Sequence, residues 1–203
     1  MVGLRAALVI AVGTLLPVAA SAHFYLVEPA STLVQSERGD PQKIAPCGGT
    51  TKEPGVQSNA ETNVKGGSSL HIKVKETIYH PGHYRIALAE SVYGLPKDPE
   101  TTTKPTDKGP WSVSAKIDPN PKAPVLADGL FVHTERVPSG QIWETDVKIP
   151  NVNCKRCLIQ VVQWMGEHGF NPDGDYSYHH CAALNITADP SKPIDKDWLK
   201  TSK

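Results

Sequence analysis

The chain has 203 residues, 39% of them hydrophobic, with 18 prolines, 16 glycines and four cysteines. Its 21 Lys+Arg against 21 Asp+Glu provide no basic field of the kind that holds nucleic acid. A length near 200 suits one domain with a full core, and an even number of cysteines reads as two disulfides if the chain is exported.

Residues 1–22 carry one cation, Arg5, followed by the uncharged run AALVIAVGTLLPVAA. That run is short for a bilayer span and ends in Ala20-Ser21-Ala22, with small residues where a signal peptidase accepts them. The expectation is a signal peptide over 1–22, cleavage before His23, and a secreted or periplasmic protein with no membrane attachment afterwards. Loss of Arg5 would leave 20 cations against 21 anions.

From His23 onward, hydrophobic alternation recurs over short stretches, as in strands with one buried face. In chain order these are FYLVE, SLHIKVKETI, HYRIALAE, WSVSAKI, LFVHTE, QIWETDVKI, CLIQVVQWM and YSYHHCAALNIT. Helical periodicity is absent. Between them lie YGLPKDPETTTKPTDKGP and DPNPKAPVLADG, where proline removes backbone donors and ends regular pairing. The pattern predicts an all-β chain, an immunoglobulin- or fibronectin-like antiparallel β-sandwich, with a closed barrel as the alternative. One domain is expected over 23–188, followed by a polar surface tail over 189–203.

Cleavage before His23 would give one residue two nitrogen donors, its α-amine and ring Nδ1. Their pKa values, about 7.7–8.0 and about 6.5, let a metal displace the protons near neutral pH. A second imidazole would complete a three-nitrogen set that suits Cu(II) better than tetrahedral Zn(II). TIYHPGHYRIAL supplies His80 and His83 around a Pro-Gly turn. His80 ends the incoming strand and is the preferred ligand, with His83 the alternative. Further on, Tyr178 stands three residues before Cys181, where a disulfide would hold it in place. His179 and His180 alternate faces beside it, one expected at the surface and one packed.

The cleavage site before His23, the HPGH turn and the Tyr-x-x-Cys spacing together resemble the lytic polysaccharide monooxygenases and their copper-binding relatives, which have β-sandwich cores. The resemblance implies a histidine brace made by His23 and His80, with copper as cofactor and Tyr178 at the axial position. His168, in WMGEHGF, resembles the histidine that hydrogen-bonds to the activated oxygen in some of these enzymes. The resemblance also pairs Cys47 with Cys181, and Cys154 then pairs with Cys157. It implies a monomer that meets a polysaccharide surface and an external electron donor, with no nucleic acid or membrane partner.

Several positions depart from that pattern. The residue two before the axial aromatic is Tyr176 rather than Gln, so Gln160 or Gln163 would have to supply a nearby amide. Ala182-Ala183 stand where an acidic residue is usual. Cys154-x-x-Cys157 lacks the further soft ligands of a zinc site and the βαβ setting of a redox motif. NPDGD reads as a turn rather than a calcium loop. The function classes are therefore a copper-dependent polysaccharide monooxygenase, a copper carrier using the same brace, or a sugar-binding module without metal. Tyr25, Tyr79 and Tyr93 are the candidate aromatics for a polysaccharide face, by their nearness in sequence to His23, His80 and the following loop, with burial in the core the alternative for each.

Overall fold

The computed structural model describes residues 23–201, and the expected signal peptide lies outside them. Among the described residues there are ten strands in three sheets. One sheet contains β1 (His23–Glu28), β3 (Ser69–Ile78) and β8 (Gln141–Lys148), in the order β1-β3-β8. The second contains β2 (Glu61–Lys65), β10 (Ser177–Thr187), β9 (Cys154–Met165), β4 (Gly82–Ala89) and β7 (Val125–His133), in that spatial order. A small hairpin pairs β5 (Thr101–Lys104) with β6 (Trp111–Ala115). Apart from the parallel β2/β10 edge, the ladders are antiparallel, giving the expected all-β sandwich.

Alternation explains the inner faces. β3 turns Leu70, Ile72, Val74 and Glu76 inward and leaves Lys75 and His71 exposed. Tyr84, Ile86 and Leu88 of β4 meet them with Phe24, Leu26, Ile159, Val161 and Leu184 in one core. Each such Leu or Ile contributes roughly 1.5–3 kcal/mol by leaving water.

β4 is buried on both faces, which alternation alone would not produce. The Pro-rich segment read as turns is a roof over its outer side. There Arg85 Nη2 donates to the Lys97 carbonyl at 2.7 Å, and His83 stacks on Trp164 with ring centroids 5.2 Å apart. Trp164 Nε1 in turn donates to Thr101 Oγ1 at 2.9 Å, joining the roof to the sheet.

The C-terminal segment does not stay at the surface throughout. A short helix, α1 (Lys196–Thr201), begins where Asp195 Oδ1 accepts the Trp198 N–H, and Trp198 is only 2% exposed. Its indole N–H donates to the Leu88 carbonyl at 3.0 Å, so a polar tail carries one core residue. Both disulfides expected from the resemblance are present, Cys47 with Cys181 and Cys154 with Cys157. Among the described residues no helix is long and apolar enough to cross a membrane.

Candidate metal centre

Strand register gathers the candidate residues at one end of the sandwich. His23 opens β1 opposite Ile78 near the end of β3, Gly82 opens β4 opposite Met165 at the end of β9, and Ser177 opens β10 opposite Trp164. The HPGH turn therefore lies beside the start of β1. Gly82 is required there, because a Cβ would sit 2.0 Å from the Trp164 carbonyl oxygen.

His23 is 5% exposed, and its Nε2 lies 3.1 Å from Asp40 Oδ2. That hydrogen bond holds the Asp40 carboxyl below the usual carboxylate range. Asp40 reaches His23 because Gly39, at φ +99°, lies against β1, with room for no Cβ beside the Phe24 carbonyl. His80 is 6% exposed, and its Nδ1 lies 3.0 Å from the Gly166 carbonyl oxygen. A carbonyl only accepts, so the proton sits on Nδ1 and the lone pair on Nε2. On His23 the carboxylate draws the proton to Nε2, and the lone pair falls on Nδ1, the nitrogen that could chelate together with the residue's amine if the chain were cut before it.

Ring contacts link the four candidates. His23 meets Tyr178 edge-on at 5.3 Å between centroids, His168 lies 6.4 Å from Tyr178, and His80 lies 4.8 Å from His168. Burial, and less strongly the Asp40 charge, push the Tyr178 phenol up, so it stays protonated. Burial is also the main cause that takes His168 down to about 4, with the His80, Lys43 and His23 charges acting the same way. His168 is thus a neutral ring near pH 7. Its Nδ1 donates to the Gly169 carbonyl, and its Nε2 is buried with no hydrogen-bond partner among the described residues.

The hairpin sets the position of His168. Ser112 Oγ of β6 accepts the His168 N–H at 3.0 Å and donates to the Met165 carbonyl at 2.6 Å, while Ser112 N–H donates to the His168 carbonyl at 2.9 Å. Neither Ser112 nor Asp40 stood out in the sequence, since both are common residue types in loops or short strands. Glu76 was also missed, although a charged residue in the inward row of β3 is a legible signal. Its carboxylate accepts from His80 N–H, Trp143 Nε1 and Gln163 Nε2, and His133 Nε2 lies 3.3 Å away. That contact with Glu76 raises His133 above its ordinary value despite burial.

Other candidates are placed elsewhere. His83 has Trp164 and, at 4.0 Å, Asp128 as its neighbours under the roof. His179 and His180 are both fully buried, correcting the expectation that one would be at the surface. The roof residue Asp98 meets His179 Nε2 at 2.8 Å, and His180 packs inward on Phe24. Gln160 is occupied by the Pro46 carbonyl beside the Cys47 loop, whereas Gln163 lies opposite Tyr178 on β9. Tyr25 and Tyr79 are half-buried. Tyr93 is 91% exposed but follows the far end of β4, whereas Phe170, two residues after His168, is 57% exposed. Phe170 is an aromatic that the sequence alone does not single out.

Among the described residues no group of three or more His, Cys, Asp or Glu side chains comes together in a way that could hold a metal ion. A donor set of two imidazoles and one amine does not require such a group. Its tautomers are in place, each candidate ring giving its other N–H to a carboxylate or carbonyl as metal-bound histidines do. These residues fit copper.

No family model matches the chain, and no curated protein does. Among solved structures it is similar to a chitin binding domain from Burkholderia pseudomallei, at 11% identity over 82% of this chain and 100% of that chain, with a TM-score of 0.44. At that distance the likeness supports no statement about function.

Proposed function

We propose that the protein, cut before His23, is a secreted copper-dependent monooxygenase that cleaves polysaccharides oxidatively. The observation that carries this reading is the pair of tautomers set by Asp40 and Gly166, which supports Nδ1 of His23 and Nε2 of His80 as the nitrogens that would hold copper. Copper would supply one-electron redox chemistry and activation of O2 or hydrogen peroxide, with electrons from an external donor. The chain's own residues do the rest. Asp40 and the Gly166 carbonyl orient the two rings, and Tyr178 would line the site beside His23 with a neutral phenol. His168 presents an unprotonated Nε2 that can accept a hydrogen bond or a proton beside His80. Phe170, 57% exposed and two residues after His168, offers an aromatic ring on which a sugar can stack.

Oxidised-product mass spectrometry on chitin, cellulose and other glycans, with a reductant, tests the reading alongside copper titration. His80→Ala is expected to lose copper binding. His168→Ala is expected to keep copper and lose turnover by about 100-fold or more, the usual contribution of a positioned acid or base. Wild-type protein that binds copper tightly but oxidises no glycan, with O2 or peroxide, would instead be a carrier.

A further inference from the structure

We infer that Glu76 is a positioning residue for the copper site, a buried carboxylate that fixes the His80 turn from inside the sandwich. The inference rests on the copper reading above. Glu76 occupies the inward row of β3 after Leu70, Ile72 and Val74, and its side chain is fully buried. Glutamate is almost never found there unless its oxygens are satisfied.

Here four segments satisfy it. Oε1 accepts the backbone N–H of His80 at 3.0 Å and Gln163 Nε2 at 3.3 Å, and it lies 3.3 Å from His133 Nε2. Oε2 accepts the Trp143 indole N–H at 2.9 Å. The Trp143 and His133 rings stack with centroids 5.1 Å apart, so the donors are themselves held rigidly.

The placement of these donors separates this cluster from an ordinary buried polar group. One donor is the backbone of a proposed ligand, and another, Gln163, lies opposite Tyr178 in the β9/β10 ladder. A single carboxylate therefore braces both flanks of the site. The His80 backbone is held by Glu76 on one side, and its ring by the Gly166 carbonyl on the other. The direction of Nε2 follows from those two anchors. An apolar residue at 76 would fill the core equally well but would leave the His80 N–H and three further donors unmet.

The test uses the mature protein and Cu(II) itself. Glu76→Gln keeps the shape, but its amide NH2 must face either the Trp143 N–H or the Oε1 donors, so one side of the anchor breaks. The expected result is a cooperatively melting protein whose Cu(II) dissociation constant rises about tenfold, as for lost partners of metal ligands, with a changed Cu(II) EPR spectrum. A purely structural role would lower the melting temperature and leave that spectrum alone. Glu76→Gln that folds with wild-type affinity and wild-type EPR overturns the inference. If that variant does not fold, Trp143→Phe decides, since it keeps the carboxylate and the ring stack and removes only the Oε2 donor. A smaller loss of affinity with an altered spectrum supports the inference, and an unchanged spectrum and affinity overturn it. Wild-type protein that fails to bind Cu(II) is seen in its own titration, and it defeats the copper reading itself.

Discussion

A histidine used as a core residue has to give up its charge, and His180 shows the consequence. It is fully buried on β10, edge-on to Phe24, with Nε2 donating to the Phe24 carbonyl at 3.2 Å. Burial brings it down to about 4; the His179 charge acts the same way, while the Phe24 and Gly39 carbonyls and Asp40 oppose it. In the unfolded chain the ring titrates near about 6.5. Between those values the unfolded state binds a proton that the folded state refuses. Stability is therefore full above about 6.5 and falls as pH drops towards 4, by about 1.4 kcal/mol per unit from this one group. His180→Gln keeps a donor for Phe24 and cannot titrate. Urea melts of the copper-free protein should show its stability falling less steeply than the wild type's across that window, and equal slopes would remove His180 from the account. His23, His80 and Tyr178 were legible as candidates because each stands beside a landmark in the sequence, an expected cleavage site, a Pro-Gly turn or a cysteine, whereas His168 was singled out by the resemblance. Asp40 and Ser112 were not, since their roles depend on contacts between segments far apart in the chain.

Among elements, those whose alternation faces a single core were readable, and those that are short and almost wholly polar were not. ETNVK has one apolar residue, Val64, and TTTK has none, so β2 and β5 gave no signal. The burial of β4 on both faces was equally hidden, because its roof is a proline-rich stretch whose contacts are made one by one. The two disulfides differ in the same sense of long and short range. Cys47–Cys181 ties the 41–49 loop to β10 across 134 positions, whereas Cys154–Cys157 spans three. Chain-entropy reasoning gives about 5 kcal/mol for a loop of the first size and about 1–2 kcal/mol for the second, as upper guides. Replacing both cysteines of one pair by alanine, and separately those of the other, should reproduce that order in denaturant melts. A larger loss from the Cys154/Cys157 pair would mean that the first residues of β9, CKRC, organise the rest of the strand.

At the scale of the molecule, the proposed copper ligands are assembled only when the fold closes. The His23 amine and ring belong to β1 and the His80 ring to the turn before β4, which lie in different sheets. An unfolded chain has no such constellation, so copper should bind the native state far better and stabilise it by mass action. At free copper about 100 times the dissociation constant, the gain is about 2.7 kcal/mol. For a domain of this size that corresponds to about 5–10 °C in melting temperature. The effect should depend on where the chain begins. One extra glycine before His23 turns its amine into an amide, which has no available lone pair, yet leaves every described core contact in place. The extended protein is therefore expected to melt like the copper-free mature form, and to show no upward shift when copper is added. Scanning calorimetry of both proteins, with and without Cu(II), separates the cases. Equal shifts would show that the ion binds without the amine, and the brace would fall, whatever the sandwich around it.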